Sequence, residues 1–356
     1  MTLQDLGYSP ALETYRKENG LDSFEVGRVI AEHKERYVVK TSDKEYEAEI
    51  IGNLRFTAQS RSDFPAVGDW VAISEYDEDK AIIHTVLPRK TSIERQAVGK
   101  HGEKQIIATN IDYAFIVQAV DRDFNINRIE RYLTICHTSK VEPIIVLTKI
   151  DLITEEEVQQ LTKAVQQREK DIPVVAISNE TLKGVEAINH LIAKGKTYCL
   201  LGSSGVGKST LTNNLLGKQQ MKTAAIGEGT NRGKHVTSHR ELLVLDNGGL
   251  LIDNPGMREV GIADSGSGME ATFDTIYALA QNCKFSDCTH TTETGCAVVK
   301  ALGNGTLDEA SYENYLKMER EKEHFESTVA EKRKKDRAFG KMFKNYKKGG
   351  YKDRYR

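Results

Sequence analysis

Residues 202–209 read Gly202-Ser203-Ser204-Gly205-Val206-Gly207-Lys208-Ser209. They follow the apolar run Thr197-Tyr-Cys-Leu-Leu201 and precede a stretch with helical character. A strand, a glycine loop and a helix in this order demand a parallel sheet with a helix N-terminus at its carboxyl edge. Glycines let main-chain N–H groups close around an anion, and the helix start adds partial positive charge. At this spacing Lys208 reaches the β- and γ-phosphates of a nucleotide. Ser209 ligates Mg²⁺, and Thr210 beside it completes the phosphate-binding set. The loop alone does not separate adenine from guanine.

A second motif does. Thr148-Lys149-Ile150-Asp151 follows the apolar run Ile144-Ile-Val-Leu147. It matches the Asn/Thr-Lys-x-Asp box, in which the Asp carboxylate accepts from guanine N1–H and its exocyclic amine. Adenine offers no such donor pair. The stem of Lys149 packs over the base, and Ser178, closing Val175-Ala-Ile-Ser178, belongs to the loop that supports the base through main-chain N–H. Thr148 stands where Asn is usual, and a hydroxyl replaces only part of an amide's hydrogen bonding. The base box precedes the phosphate loop, the reverse of the ordinary order. This is a circular permutation, which a domain with neighbouring termini tolerates.

Asp253-Asn254-Pro255-Gly256 ends the apolar run Leu250-Leu-Ile252 and reads as a second-switch box. Asp253 is expected to hold Mg²⁺ through water, and the Gly256 N–H to meet the γ-phosphate. Met257 follows, where many such sites place a catalytic Gln. Between the phosphate loop and this box runs a glycine-rich, charged segment, Gly227 to Arg240. Within it Thr237 is the candidate first-switch Mg²⁺ ligand. His235 and His239 are either solvated loop residues or water-positioning groups.

Cys283-x₄-Cys288-x-His290-x₅-Cys296 gathers three thiols and an imidazole within fourteen residues. Four protein ligands leave no open position, which is the donor set of a closed structural zinc site. Cys136 and Cys199 lie in helix and strand patterns and read as packed residues. Five cysteines, three of them clustered, argue against a disulfide framework and for a reducing compartment.

Residues 24–90 carry five short, often alternating apolar runs without helical patterns between most of them. They predict a small closed barrel, with the five-stranded OB-fold as candidate. Gly52-Asn53 reads as a turn between two of these strands. From about 105 to 253 strand and helix patterns alternate, as in a parallel sheet covered on both faces. Residues 1–22 hold a short amphipathic helix. From about 270 the chain is helical, with a long charged helix over 308–335. From Glu331 to Arg356 twelve Lys/Arg face three Asp/Glu, a charge of +9 that leaves −11 on the rest of the chain. A basic tail on an acidic body fits a nucleic-acid contact. Phe339, Phe343, Tyr346, Tyr351 and Tyr355 are interspersed in it.

The permuted box order, the barrel ahead of it and the Cys₃His knot behind it resemble one family, the ribosome small-subunit-dependent GTPase A family (RsgA, also called YjeQ). The resemblance spans roughly residues 24–330. It implies an OB-fold barrel, a permuted GTPase domain and a zinc-binding helical domain. It also implies GTP and GDP as ligands, GTP hydrolysis stimulated by the small ribosomal subunit, and a role in late maturation of that subunit. The water-positioning His of the family falls on His235. Asn254 departs from the usual Thr, at a position that supplies mainly main chain, and Val236 interrupts the Thr run that usually follows the His. The expected division is a helical extension at 1–22, a barrel at 23–92, a GTPase domain at 100–265, a zinc-binding domain at 266–335 and a basic tail at 336–356. A cytoplasmic monomer without a membrane span is expected. The competing readings are a nucleotide-gated RNA-binding switch with incidental hydrolysis, which Met257 favours, and a P-loop ATPase or nucleotide kinase, which Asp151 disfavours.

Overall fold

The structure is a computed structural model. It describes residues 1–33, 36–58, 60–96, 104–121, 124–217, 240–253 and 266–324.

A helix, α1 (Pro10–Glu18), precedes the strands β1 (Glu25–His33), β2 (Arg36–Lys40), β3 (Glu45–Ile50), β4 (Trp70–Asp77) and β5 (Lys80–Val86). They hydrogen-bond in the order β1-β2-β3-β5-β4, and β4 pairs back onto β1, so the barrel closes. Only β3 and β5 run parallel. Period-two alternation turns Tyr37, Val39, Tyr46, Ala48, Val71, Ile73, Ala81 and Ile83 inward. The five-stranded OB-like barrel expected from the sequence is therefore present. Gly52-Asn53 is not a simple turn: it opens a short helix, α2 (Gly52–Thr57), closed by the bonds Arg55 N–H to Ile51 O and Ala58 N–H to Leu54 O. After the barrel an antiparallel hairpin, β6 (Ser92–Gln96) with β7 (Lys104–Thr109), adds a pairing that the apolar pattern did not disclose.

The second layer is a parallel sheet of β8 (Tyr113–Ala119), β9 (Glu142–Thr148), β10 (Val174–Ala176), β11 (Thr197–Leu201) and β13 (Leu250–Asp253), with β12 (Arg240–Val244) antiparallel at its side. The order is β10-β9-β8-β11-β13-β12. Both faces are covered, and alternate residues of one strand serve opposite cores. Ala114 and Ile116 join Ile129 and Leu133 of α3 (Ile126–Ser139) and Val158 and Val165 of α4 (Glu155–Arg168). Phe115 and Val117 join Val185 and Ile188 of α5 (Val185–Leu191) and Leu211 and Leu215 of α6 (Lys208–Leu216). Strands buried on both faces read as continuous apolar runs, which is why they were legible. The start of α4 is fixed by a capping box in which Thr154 and Glu157 satisfy each other's main-chain N–H.

The helices α7 (Gly266–Thr272), α8 (Asp274–Ala280), α9 (Ala297–Gly303) and α10 (309–324) enclose a separate core of Met269, Phe273, Ile276, Val298, Tyr315 and Met318. This cluster leans on α3. The Thr134 hydroxyl donates to Thr272 Oγ1 at 3.1 Å, and buried Glu130 accepts from Arg168, Ser311 and Asn314.

The barrel and the sheet form one ladder, because β1 also pairs with β12 through Ala31–Glu241 and Glu32–Arg240. Below this seam the fully buried Arg28 guanidinium donates to four acceptors: Gly68 O (3.1 Å), Leu6 O (2.6 Å), Thr197 Oγ1 (2.9 Å) and Asn110 O (3.1 Å). Among the described residues no helix is long and apolar enough to cross a membrane.

Candidate nucleotide site and metal centre

The chain leaves β8 toward β9 and β10 on one side, then returns to lay β11 against the other side of β8 and continues to β13 and β12. The two directions part between β8 and β11, and an open α/β sheet binds its ligand at the carboxyl ends of the strands at such a point. Register brings the sequence-predicted residues there. Thr148 lies opposite Ala119, Ala176 opposite Leu147, and Cys199 opposite Ile252, the residue before Asp253.

The phosphate loop leaves β11 at Gly202. A side chain at Gly202 would stand 2.3 Å from the Val117 carbonyl oxygen, so only glycine fits against the neighbouring strand. The loop enters α6 at Gly207, which places Lys208, Ser209 and Thr210 in the first turn. Lys208 Nζ donates back to the carbonyls of Gly202 (2.7 Å) and Ser203 (2.5 Å), which folds the ammonium onto the start of the loop that continues through Ser204, Gly205 and Val206. The N–H groups at the start of α6, the helix dipole and Lys208 together give this edge positive potential.

The base box sits alongside. The buried Thr148 hydroxyl donates to the Val206 carbonyl oxygen at 2.6 Å, tying β9 to the phosphate loop. Lys149 turns the chain in the left-handed region (φ 63°) and pairs with Asp121 at 2.8 Å, while Ile150 is buried. Asp151 accepts from the Ser178 hydroxyl, and Ser178 in turn accepts from the Thr181 N–H at 3.1 Å. One carboxylate oxygen of Asp151 is thereby oriented by a fixed neighbour.

Asp253 closes β13 beside β11, on the same edge as the loop. The expected partners His235, Thr237 and Gly256, together with His239 and Met257, lie outside the described residues. Three contributors escaped the sequence reading: Asp121, Asn179 and Asn214. Asn179 Nδ2 donates to Gly207 O at 3.1 Å, and Asn214 Nδ2 to Asn179 O at 3.1 Å. None belongs to a spaced motif. The only signal is position, since Asp121 follows β8 and Asn179 follows Ser178.

Within the C-terminal helices the four predicted metal ligands converge. Their donor atoms all lie within 4.8 Å of one another. Cys283 and Cys296 Sγ are 3.8 Å apart, and each is 3.6 Å from His290 Nδ1. A tetrahedral zinc site has S···S near about 3.8 Å and S···N near about 3.5 Å. The donors therefore fit zinc and are too far apart for a disulfide. Burial lowers the His290 pKa, which favours the neutral imidazole that a metal needs. The Tyr312 hydroxyl donates to the His290 carbonyl at 2.6 Å and holds the left-handed turn (φ 61°) that aims the ring. Cys136 and Cys199 are buried, and burial pushes both thiols up, as expected for packed cysteines.

An RsgA GTPase family model matches residues 86–263. An ABC transporter model matches residues 185–352, which include the phosphate loop common to both classes but not the base box. The chain is 38% identical over 343 residues to the small ribosomal subunit biogenesis GTPase RsgA 1 of Bacteroides thetaiotaomicron, covering 96% of each. It is 42% identical over 342 residues to the small ribosomal subunit biogenesis GTPase RsgA of Opitutus terrae, covering 90% of each. The solved structure of YjeQ from Thermotoga maritima aligns with a TM-score of 0.62 at 25% identity, over 86% of this chain and 98% of that one. That of YloQ, described as a circularly permuted GTPase, aligns with a TM-score of 0.62 at 23% identity, over 85% of this chain and 96% of that one. Identity of this degree over nearly the whole length, on a sheet wound in the permuted order, means that the chain belongs to the RsgA GTPase family of GTP-hydrolysing enzymes.

Proposed function

We propose that this chain hydrolyses GTP during biogenesis of the small ribosomal subunit, and that the subunit and its rRNA stimulate the hydrolysis. One observation carries the reading: the Thr148–Val206 bond holds the Asp151 carboxylate and the phosphate loop at one sheet edge. The chain's similarity to small ribosomal subunit biogenesis GTPases supplies the context.

In this reading Asp151, oriented by Ser178, accepts from guanine, and Lys149 covers the base. The main-chain N–H groups of Gly202 to Gly207 cradle the phosphates. Lys208 leaves the Gly202 and Ser203 carbonyls and turns to the β- and γ-phosphates. Ser209 and Thr237 hold Mg²⁺ directly, and Asp253 holds it through water. An ion held by these residues would supply positive charge against the charge that develops on the phosphate oxygens. Gly256 donates its N–H to the γ-phosphate, and His235 positions the attacking water in place of a second-switch Gln. The barrel at 23–92, the GTPase domain at 100–265 and the domain at 266–335 act as separate contact units. Cys283, Cys288, His290 and Cys296 hold one structural zinc ion in the last of these. The basic tail at 336–356 reaches rRNA phosphates, with a salt-dependent affinity. The protein works in the cytoplasm as a monomer.

The test is GTP turnover measured with and without purified small ribosomal subunits. A large stimulation is expected. An unchanged rate, with RNA binding that still depends on the bound nucleotide, would move the reading to a nucleotide-gated RNA-binding switch.

A further inference from the structure

The guanine box opens with Thr148, and its hydroxyl carries a single proton. That proton is spent on Val206 O at 2.6 Å. An asparagine there would bring two N–H donors and a carbonyl oxygen, enough to tie the loop and still support its surroundings. The structure makes a second tie elsewhere. Asn179, the residue after Ser178, donates Nδ2 to the carbonyl of Gly207 at 3.1 Å, one residue beyond the carbonyl that Thr148 holds. Asn214, on α6, donates Nδ2 to both Asn179 O (3.1 Å) and Asn179 Oδ1 (3.3 Å). With Oδ1 engaged as an acceptor, the Asn179 amide has one orientation, and its N–H₂ faces the loop. The fit is tight. Gly207 lies in the left-handed region (φ 95°), and a Cβ on it would stand 2.7 Å from Asn179 Nδ2.

We infer that Asn179 is a positioning residue that supplies the tie a threonine at 148 lacks, and that with Asn214 it sets how long a guanine nucleotide stays bound. Adjacent phosphate-loop carbonyls are held by different segments, Val206 by the base box and Gly207 by the base-supporting loop. The last turn of α6 closes the circuit through Asn214. When both ties hold, the base-reading Asp151 and the phosphate cradle keep one separation, and a nucleotide that spans them loses neither end independently. The inference rests on the guanine reading of Asp151 and adds to it the element that fixes residence time.

The test is stopped-flow release of a fluorescent GDP from the full-length protein in two backgrounds. With Thr148 present, Asn179→Ala is expected to speed release about tenfold, the effect of one hydrogen bond worth about 1.4 kcal/mol. Asn214→Ala is expected to act in the same direction and less strongly. In a Thr148→Asn background, Asn179→Ala is expected to change release less than threefold. Asn179→Asp, which keeps the shape but loses the donor, repeats the comparison if the alanine variant does not fold. Equal acceleration in both backgrounds, or none in the first, overturns the inference and leaves the base reading standing. If ATP displaces the fluorescent GDP from the unmodified protein as well as GTP does, the base reading itself fails, and the inference with it.

Discussion

Arg28, on the first strand of the barrel, donates Nη1 to the hydroxyl of Thr197, the first residue of the strand that delivers the phosphate loop, at 2.9 Å. The guanidinium is buried, and desolvation lowers its pKa to about 10, so it stays charged at neutral pH. Its three other acceptors, on Leu6, Gly68 and Asn110, draw the N-terminal segment, the barrel and the hairpin onto the same cation. Arg28→Met keeps much of the volume and strands those acceptors. Each buried acceptor left without a partner costs about 1–3 kcal/mol, so a loss of about 3–5 kcal/mol is expected. Arg28→Lys, which cannot reach four acceptors at once, is expected to recover less than half of the loss. Urea unfolding of the two variants measures both quantities. A change of less than about 1 kcal/mol for Arg28→Met would show that the junction does not depend on this residue.

The guanine reading predicts a specific exchange. Asp151→Asn replaces two acceptors by an acceptor and a donor, which suits the carbonyl at position 2 of xanthine rather than the amine of guanine. Competitive displacement should show guanine affinity falling at least tenfold, with xanthine nucleotide overtaking it. Unchanged selectivity would remove Asp151 from the base site.

Metal removal should act on one part of the molecule. The core of Met269, Phe273, Ile276, Val298, Tyr315 and Met318 is small and adjoins all four candidate ligands. Chelation, or Cys283→Ser, is expected to melt α8 and α9 while nucleotide binding survives, because Val206 of the phosphate loop and Ile150 of the base box belong to the two cores of the sheet. Far-ultraviolet circular dichroism and zinc content, followed together, report the outcome. Loss of zinc with no loss of helix would deny the site a structural role.

Glu169 predicts a pH dependence. It follows α4 and is buried, and burial first, then the charge of Glu130, raises its carboxyl pKa to about 8. The folded state thus holds a proton that the unfolded chain releases near pH 4.5. Between those values the native state binds more protons than the unfolded one, so this group makes stability fall as pH rises from about 4.5 to 8. Glu169→Gln removes that slope, and at pH 9 it is expected to raise stability by about 1–2 kcal/mol. Thermal unfolding of both proteins at pH 6 and pH 9 measures the difference. A larger gain at pH 6 would reverse the sign and exclude the mechanism.

What was legible in the sequence follows from where the geometric constraint lies. The phosphate loop and the cysteine–histidine knot are local, because a phosphate or a metal dictates donors at fixed spacing along one short segment. The barrel strands and the buried strands of the sheet were readable because burial on one face or two imposes its own period. Arg28 was not readable. A single arginine in a strand looks like a solvent-facing residue, and its acceptors come from segments 22, 40, 82 and 169 residues away. Asn179 and Asn214 are 35 residues apart and meet only because α6 packs beside the loop after β10. The hairpin of β6 and β7 has too few apolar residues to announce its pairing, although Ile93 proves to be fully buried.

The permuted winding has a consequence for how the molecule is wired. Among the described residues, β13, which ends in Asp253, is the last strand of the sheet in chain order. The next described element is α7, already part of the cluster around the cysteines and histidine. Residues 254–265, which include the candidate second switch, lie in sequence between that strand and α7. A GTPase wound in the ordinary order returns its second switch to its own sheet. Here Asp253, on the strand beside the one that delivers the phosphate loop, and Gly266, the first residue of the helices around the candidate metal ligands, follow one another as neighbouring elements in chain order.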